Sequence, residues 1–208
     1  MRLTAVLFGL AALLAGCATA SLPPPVENPA ATWQLRQAAL RPITHWNIQG
    51  RLAMRTADEG WQASLSWVRE GDRQRIDITG PLGRGHLRLT QDDHGAELRD
   101  ADQRAWRAAD PEQLLFRTTG WRVPLNGLND WVLGLPLPDK AATQELDAQG
   151  RLKTLSQSGW NIRFLEYTRQ GSLDLPSKLF IKRQGDAANA DGKGDIEVRL
   201  VIESWTLN

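Results

Sequence analysis

Hydrophobic residues in this chain recur every second position, run after run, and a backbone obeying that period has few choices. Trp46, Ile48, Gly50, Leu52 and Met54 alternate with Asn47, Gln49, Arg51 and Ala53. Trp61, Ala63, Leu65 and Trp67 alternate with polar neighbours, as do Ile76 and Ile78, and Leu87 and Leu89. Successive side chains on a strand point to opposite faces, so each run carries one apolar and one polar face. Turn-forming clusters separate the runs: Asp58-Glu59-Gly60, Glu70-Gly71-Asp72 and Asp92-Asp93-His94-Gly95. The pattern is that of an antiparallel meander wetted on one side.

The period changes twice. Residues 31–40 read as a short helix with Trp33, Gln37 and Leu40 on one face and Pro42 as its stop. After weaker hairpin segments at 96–99 and 104–107, Asp110-Pro111-Glu112-Gln113 sets an N-cap, a first-turn proline and an N3 glutamine in order. Leu114, Leu115 and Phe116 follow, and Gly120 ends that helix. Residues 125–133 read as a second helix, with Leu125, Leu128, Trp131 and Val132 at helical spacing. Strands then resume at 143–147, 151–156, 160–167, 178–183 and 195–205, with a polar, Gly-rich loop over 185–194. The order is one helix, about six strands, two helices and about five strands. A sheet of that size twists and curls, and its apolar face needs a cover, for which the central helices are the available material. The expected fold is a curled antiparallel sheet, a barrel or half-barrel, with helices plugging its open side.

The N-terminus has a different character. Met1-Arg2 is followed by an apolar run over residues 3–14, then Ala15, Gly16 and Cys17, the only cysteine in the chain. A basic start, about a dozen apolar residues and small residues at a cut site form a secretory signal peptide. The run is shorter than the roughly 20 residues of a spanning helix. Residues 17–30 hold Pro23-Pro24-Pro25 and Pro29 and read as an extended tether. The expected layout is a signal peptide over 1–16, a tether over 17–30 and one domain over 31–208.

Composition removes several function classes. Lys and Arg number 25 against 24 Asp and Glu, with no block of like charge, so nucleic acid is not an expected partner. One cysteine permits no internal disulfide and no Cys-based zinc site. There is no Gly-x-Ser-x-Gly, His-Glu-x-x-His or phosphate-binding glycine loop, and His45, His86 and His94 lie far apart in sequence. An enzyme is not expected, nor a cofactor. Tryptophan is the unusual entrant: nine, against one Tyr and four Phe. So much broad apolar surface points to a heavily aromatic core or to an apolar binding cavity.

One residue sits badly in its surroundings. In Gly80-Pro81-Leu82-Gly83, between two strands, Gly and Pro are what a turn asks for and Leu is not. Leu82 either folds back onto the core or stands out as an apolar tip for a membrane or a partner.

Leu14-Ala15-Gly16-Cys17 resembles the lipobox of bacterial lipoproteins. The resemblance implies cleavage before Cys17, a diacylglyceryl group on its thiol and usually an acylated amine. Ala18, in place of the Asp that signals inner-membrane retention, implies the outer membrane. Together with Trp46-x-x-x-Gly50-Arg51-Leu52, Gly80-Pro81-Leu82-Gly83 and Pro124-Leu125-x-x-Leu128-x-x-Trp131-x-x-Gly134-Leu135-Pro136, in this order, the chain resembles the LolB family. That resemblance implies an incomplete antiparallel β-barrel whose helices cover an apolar cavity. It implies an anchored receptor on the periplasmic face of the outer membrane that takes triacylated lipoproteins from the carrier LolA. A monomer is expected, with no cofactor beyond the covalent lipid on Cys17. Leu82, within Gly80, Pro81 and Gly83, would promote insertion of cargo. Trp131, Trp160 and Trp205 would line the acyl-chain cavity, together with Trp46, Trp61 and Trp67. The alternative is a structural or assembly lipoprotein of the envelope whose Trp-rich sheet packs only against itself. Burial is mandatory for such cargo: about 45 methylenes at ~0.8 kcal/mol each would cost roughly 35 kcal/mol in water.

Overall fold

The computed structural model describes residues 24–55, 59–83, 85–121, 123–183 and 196–208. Cys17, the segment before it and the loop at 185–194 lie outside the described residues.

The alternating segments form eleven strands: β1 (His45–Arg55), β2 (Gly60–Glu70), β3 (Arg73–Thr79), β4 (His86–Asp92), β5 (Gly95–Arg99), β6 (Ala105–Ala108), β7 (Ala142–Leu146), β8 (Leu152–Gln157), β9 (Trp160–Gln170), β10 (Leu173–Arg183) and β11 (Glu197–Leu207). They build one antiparallel sheet in the order β6-β5-β4-β3-β2-β1-β11-β10-β9-β8-β7. Each half is a meander. The halves meet where β1 pairs with β11, and among the described residues β6 and β7 are unpaired edges, so the barrel is incomplete. The curled antiparallel sheet that alternation predicts is therefore present, open between β6 and β7. Among the described residues three α-helices accompany the sheet: α1 (Pro29–Leu40), α2 (Pro111–Thr119) and α3 (Leu125–Trp131). None of the described helices is long and apolar enough to cross a membrane.

Local chemistry sets the helix ends. Asn28 Oδ1 accepts from the Ala31 N–H, and Pro29 occupies the first turn, so α1 starts before residue 31. Val26 N–H donates to Ala148 O, which ties part of the expected tether to the body. Asp110 Oδ1 accepts from Gln113 N–H at the start of α2, and Gly120, at φ 76°, closes it by donating to Phe116 O. The second lid helix is shorter than the spacing predicts. It stops at Trp131, because Gly134 turns left-handed and the Leu135 N–H bonds back to Asp130 O.

The seam between the halves explains one sequence motif. The β1–β11 register shifts between Gln49 and Gly50. A Cβ on Gly50 would lie 2.0 Å from Val201 O, so only glycine lets the strands approach there. On the other side, β10 is longer than the expected 178–183. It continues through Pro176, where its register against β9 shifts and a residue without N–H is tolerated.

Candidate functional site

Antiparallel order brings distant segments to one end of the barrel. The end of β1, the start of β2, the β3–β4 turn, the start of β9 and the end of β10 share that rim. Beneath it, between the sheet and the two central helices, lies a cavity with a wholly apolar lining. The sheet contributes Leu52, Met54, Trp61, Leu65, Trp67, Ile76, Ile78, Leu87, Leu89, Ile181, Val198 and Leu200. The cover is Leu115 of α2, Trp121 and Val123 of the linker, and Leu125 and Leu128 of α3. Its volume is about 90 Å³. An apolar cavity of about 150 Å³ holds one benzene, so the cavity in this conformation is too small for an acyl chain.

One aromatic contact fastens the cover to the rim. The Trp61 ring stacks on Trp121, with centroids 4.8 Å apart and planes 25° from parallel. Among the described residues the buried Trp61 indole N–H has no hydrogen-bond partner. The lid helices are joined to each other by Glu112 of α2, whose Oε1 accepts from Asn126 N–H of α3 at 3.0 Å. Pro124 offers α3 no side-chain cap, so Glu112 supplies the acceptor from outside. Burial raises the Glu112 carboxyl above its ordinary pKa, and the Asn126 N–H draws it partly back.

The six tryptophans singled out by resemblance divide. Trp61 and Trp67 line the cavity; Trp46, Trp131, Trp160 and Trp205 are not among its lining. Trp46 is fully buried toward the far end, edge-on to Trp67 at 5.0 Å and to Trp205 at 5.8 Å. Trp205 Nε1 donates to Pro176 O, and Trp67 Nε1 to the buried Gln74. Trp131 sits against Gly127, where a Cβ would come within 2.7 Å of its ring, and donates to Gln157 Oε1. Gln157 also accepts from Leu137 N–H and donates to Leu137 O and Lys140 O, which fixes the chain after α3. These indoles are held by buried polar partners and by one another; in the sequence, Trp46 and Trp67 alternate inward just as Trp61 does. Trp160 instead lines a neighbouring groove with Phe116, Glu112 and Arg183, which touches the cavity at Val123. The reading from resemblance did not include Trp121, and only its apolar neighbours across a turn mark it in the sequence.

Leu82 stands on the same rim. Pro81–Gly83 forms a single 3-10 turn, closed below by Gly80 N–H donating to Gly85 O. Leu82 is 93 % exposed. Its backbone is left-handed, at φ 58° and ψ 25°, a conformation that costs a leucine roughly 1–2 kcal/mol. The alternative that it folds back onto the core does not hold in this structure. Among the described residues, no three His, Cys, Asp or Glu side chains gather as a metal site would require.

A curled sheet with a helical lid over an apolar pouch is a fold that solved structures share. The crystal structure of a LolA superfamily protein from Nitrosomonas europaea superposes with a TM-score of 0.53 at 10% identity, covering 86% of this chain and 93% of that one. A DUF1329 family protein from Desulfovibrio piger gives 0.50 at 7% identity, over 89% and 94%. Sequence goes further. The family described as outer membrane lipoprotein LolB matches residues 44–205. The outer-membrane lipoprotein LolB of Nitrosococcus oceani is 38% identical over 207 residues, 99% of this chain and 98% of that protein. Those of Alkalilimnicola ehrlichii and Pseudomonas putida are 37% and 35% identical, each over 96% of this chain and 94% of the relative. The chain belongs to the LolB family of outer-membrane lipoproteins.

Proposed function

We propose that this protein receives triacylated lipoproteins by taking their acyl chains beneath α2 and α3, and then releases them into the outer membrane. Cys17 carries the lipid that anchors it to the periplasmic face, and the donor is the carrier LolA. No bond is made or broken, so no cofactor is needed. Cargo moves down an affinity gradient from carrier to receptor to bilayer. The observation that carries the reading is the placement of a wholly apolar, helix-covered cavity under the rim that bears the exposed Leu82. Loading requires the lid to move, because the closed volume is far below that of one chain.

The test is a two-stage transfer. Carrier-bound triacylated lipoprotein is offered to the protein, and then liposomes are added. Cargo should pass first to the protein and then to the liposomes, and the Leu82→Glu variant should load normally but fail to unload. The small closed volume favours one alternative, an envelope lipoprotein with a packed core. For that reading, fatty-acid titration gives no saturable change in Trp fluorescence and no cargo is retained.

A further inference from the structure

The outer face of the sheet below Leu82 carries an excess of positive charge. Here β3 presents Arg75 and Asp77, and β4 presents His86 and Arg88, on the side away from the cavity. Thr79 pairs with His86 at the base of the Leu82 turn, and Asp77 pairs with Arg88 two residues below. Asp77 is the hub of the cluster. Its Oδ1 accepts from Arg88 Nε at 2.6 Å and lies 3.0 Å from His86 Nε2, while Oδ2 is 3.3 Å from Arg75 Nε. The carboxylate is largely covered, at 16 % exposure, whereas the Arg75 and Arg88 side chains are 55 % and 46 % exposed. One negative charge therefore serves two guanidinium groups and an imidazole. In the next strand Arg99 pairs in register with Arg88, and Glu97 is shared by Arg99 and Arg107. Four arginines stand over two carboxylates in this patch.

We propose that this arginine collar is the contact surface for anionic lipid headgroups. Leu82 enters the bilayer while Arg75, Arg88 and Arg99 hold phosphates around the point of entry. The proposal rests on the reading of Leu82 as the tip that meets the membrane. Two residues of strand are about 7 Å, so the Asp77–Arg88 row lies within the screening length of about 8 Å at physiological salt from the base of the turn. A guanidinium fork suits phosphate oxygens, and charge near a negative surface adds binding that one leucine cannot supply. Continuity with the exposed apolar tip favours a lipid surface over an acidic protein.

The experiment measures cargo release from the full-length mature protein into vesicles of phosphatidylcholine, with or without phosphatidylglycerol, at low and high salt. Wild-type release should be faster into anionic vesicles, and salt should remove the advantage. The Arg75→Gln/Arg88→Gln double variant should lose about tenfold on anionic vesicles and nothing on neutral ones. Asp77→Asn, which uncovers both arginines, should act in the opposite direction and speed anionic release. That opposite sign keeps the test decisive if the double variant folds poorly. Equal wild-type release into both vesicle types, or an anionic preference that survives the double variant and ignores Asp77→Asn, overturns the collar. So does a defect confined to loading from the carrier, which would mark a protein-docking face. Wild-type failure to release into any vesicle counts instead against the receptor function itself.

Discussion

Trp61, at the start of β2, stacks on Trp121, in the linker between the lid helices, with 4.8 Å between ring centroids. This contact joins the rim of the sheet to the cover of the cavity. A stacked aromatic pair contributes about 0.5–1.5 kcal/mol beyond its area, strong enough to keep the lid shut and weak enough to open on thermal timescales.

Trp121→Ala should therefore shift the lid toward its open form by up to about tenfold. Stopped-flow uptake of an apolar dye should accelerate, and amides of α2 and α3 should exchange faster than those of β1 and β11. Unchanged uptake and exchange in a folded variant would mean that the stack does not hold the lid.

Leu82→Gly separates strain from function. It removes a left-handed leucine, worth roughly 1–2 kcal/mol, against a glycine entropy cost of about 0.5–1 kcal/mol. The melting temperature should hold or rise slightly, while release of cargo into liposomes falls. A marked loss of stability would show that Leu82 contributes packing that its exposure does not reveal.

Gly50→Ala should disrupt the seam between the two halves. Its methyl would meet Val201 O at 2.0 Å, with Ile202 Cα at 3.1 Å behind it. Backbone cannot swing aside as a side chain can, so the loss should be about 3 kcal/mol or more. Urea denaturation measures it. Gly71→Ala is a useful contrast: its Cβ meets nothing within 4 Å, and the cost there comes only from φ 65°.

Glu112 gives the lid a pH dependence of known sign. Burial raises its folded pKa above the ordinary 4.5. Such a carboxyl holds its proton more readily folded than unfolded. Its contribution to stability thus grows as pH falls through the folded pKa, and is lost as pH rises from 4.5 past that raised value. Glu112→Gln keeps the acceptor for Asn126 N–H without the charge. The variant should equal or exceed wild type in melting temperature at pH 7, with the difference vanishing in mild acid. A variant less stable at pH 7 would show that charge at the start of α3 matters more than desolvation.

Period and punctuation in the sequence determine the described strands and helices and the caps of α2, because those depend on neighbours. Asp110, Pro111 and Gly120 act within one turn, and Trp46 to Met54 alternate whatever surrounds them. The same local chemistry predicts that the segment around Gly80 and Pro81 turns. Which way Leu82 faces is not a local matter: the turn permits both outcomes, and only the placement of β3 and β4 in the folded sheet leaves the side chain in solvent. The tryptophans show the limit most clearly. Trp46, Trp61 and Trp67 lie on inward faces of strands, so alternation treats them alike, whereas Trp205 is out of phase with Leu200 and Ile202 and is turned inward only by the register shift between β1 and β11. Tertiary structure alone gives Trp205 the Pro176 carbonyl and Trp67 the side chain of Gln74, leaves Trp46 between them, and sets Trp61 at the rim against Trp121. A cavity is the space that packing fails to fill, and it belongs to the meeting of β1–β4, β10 and β11 with the lid rather than to any one segment.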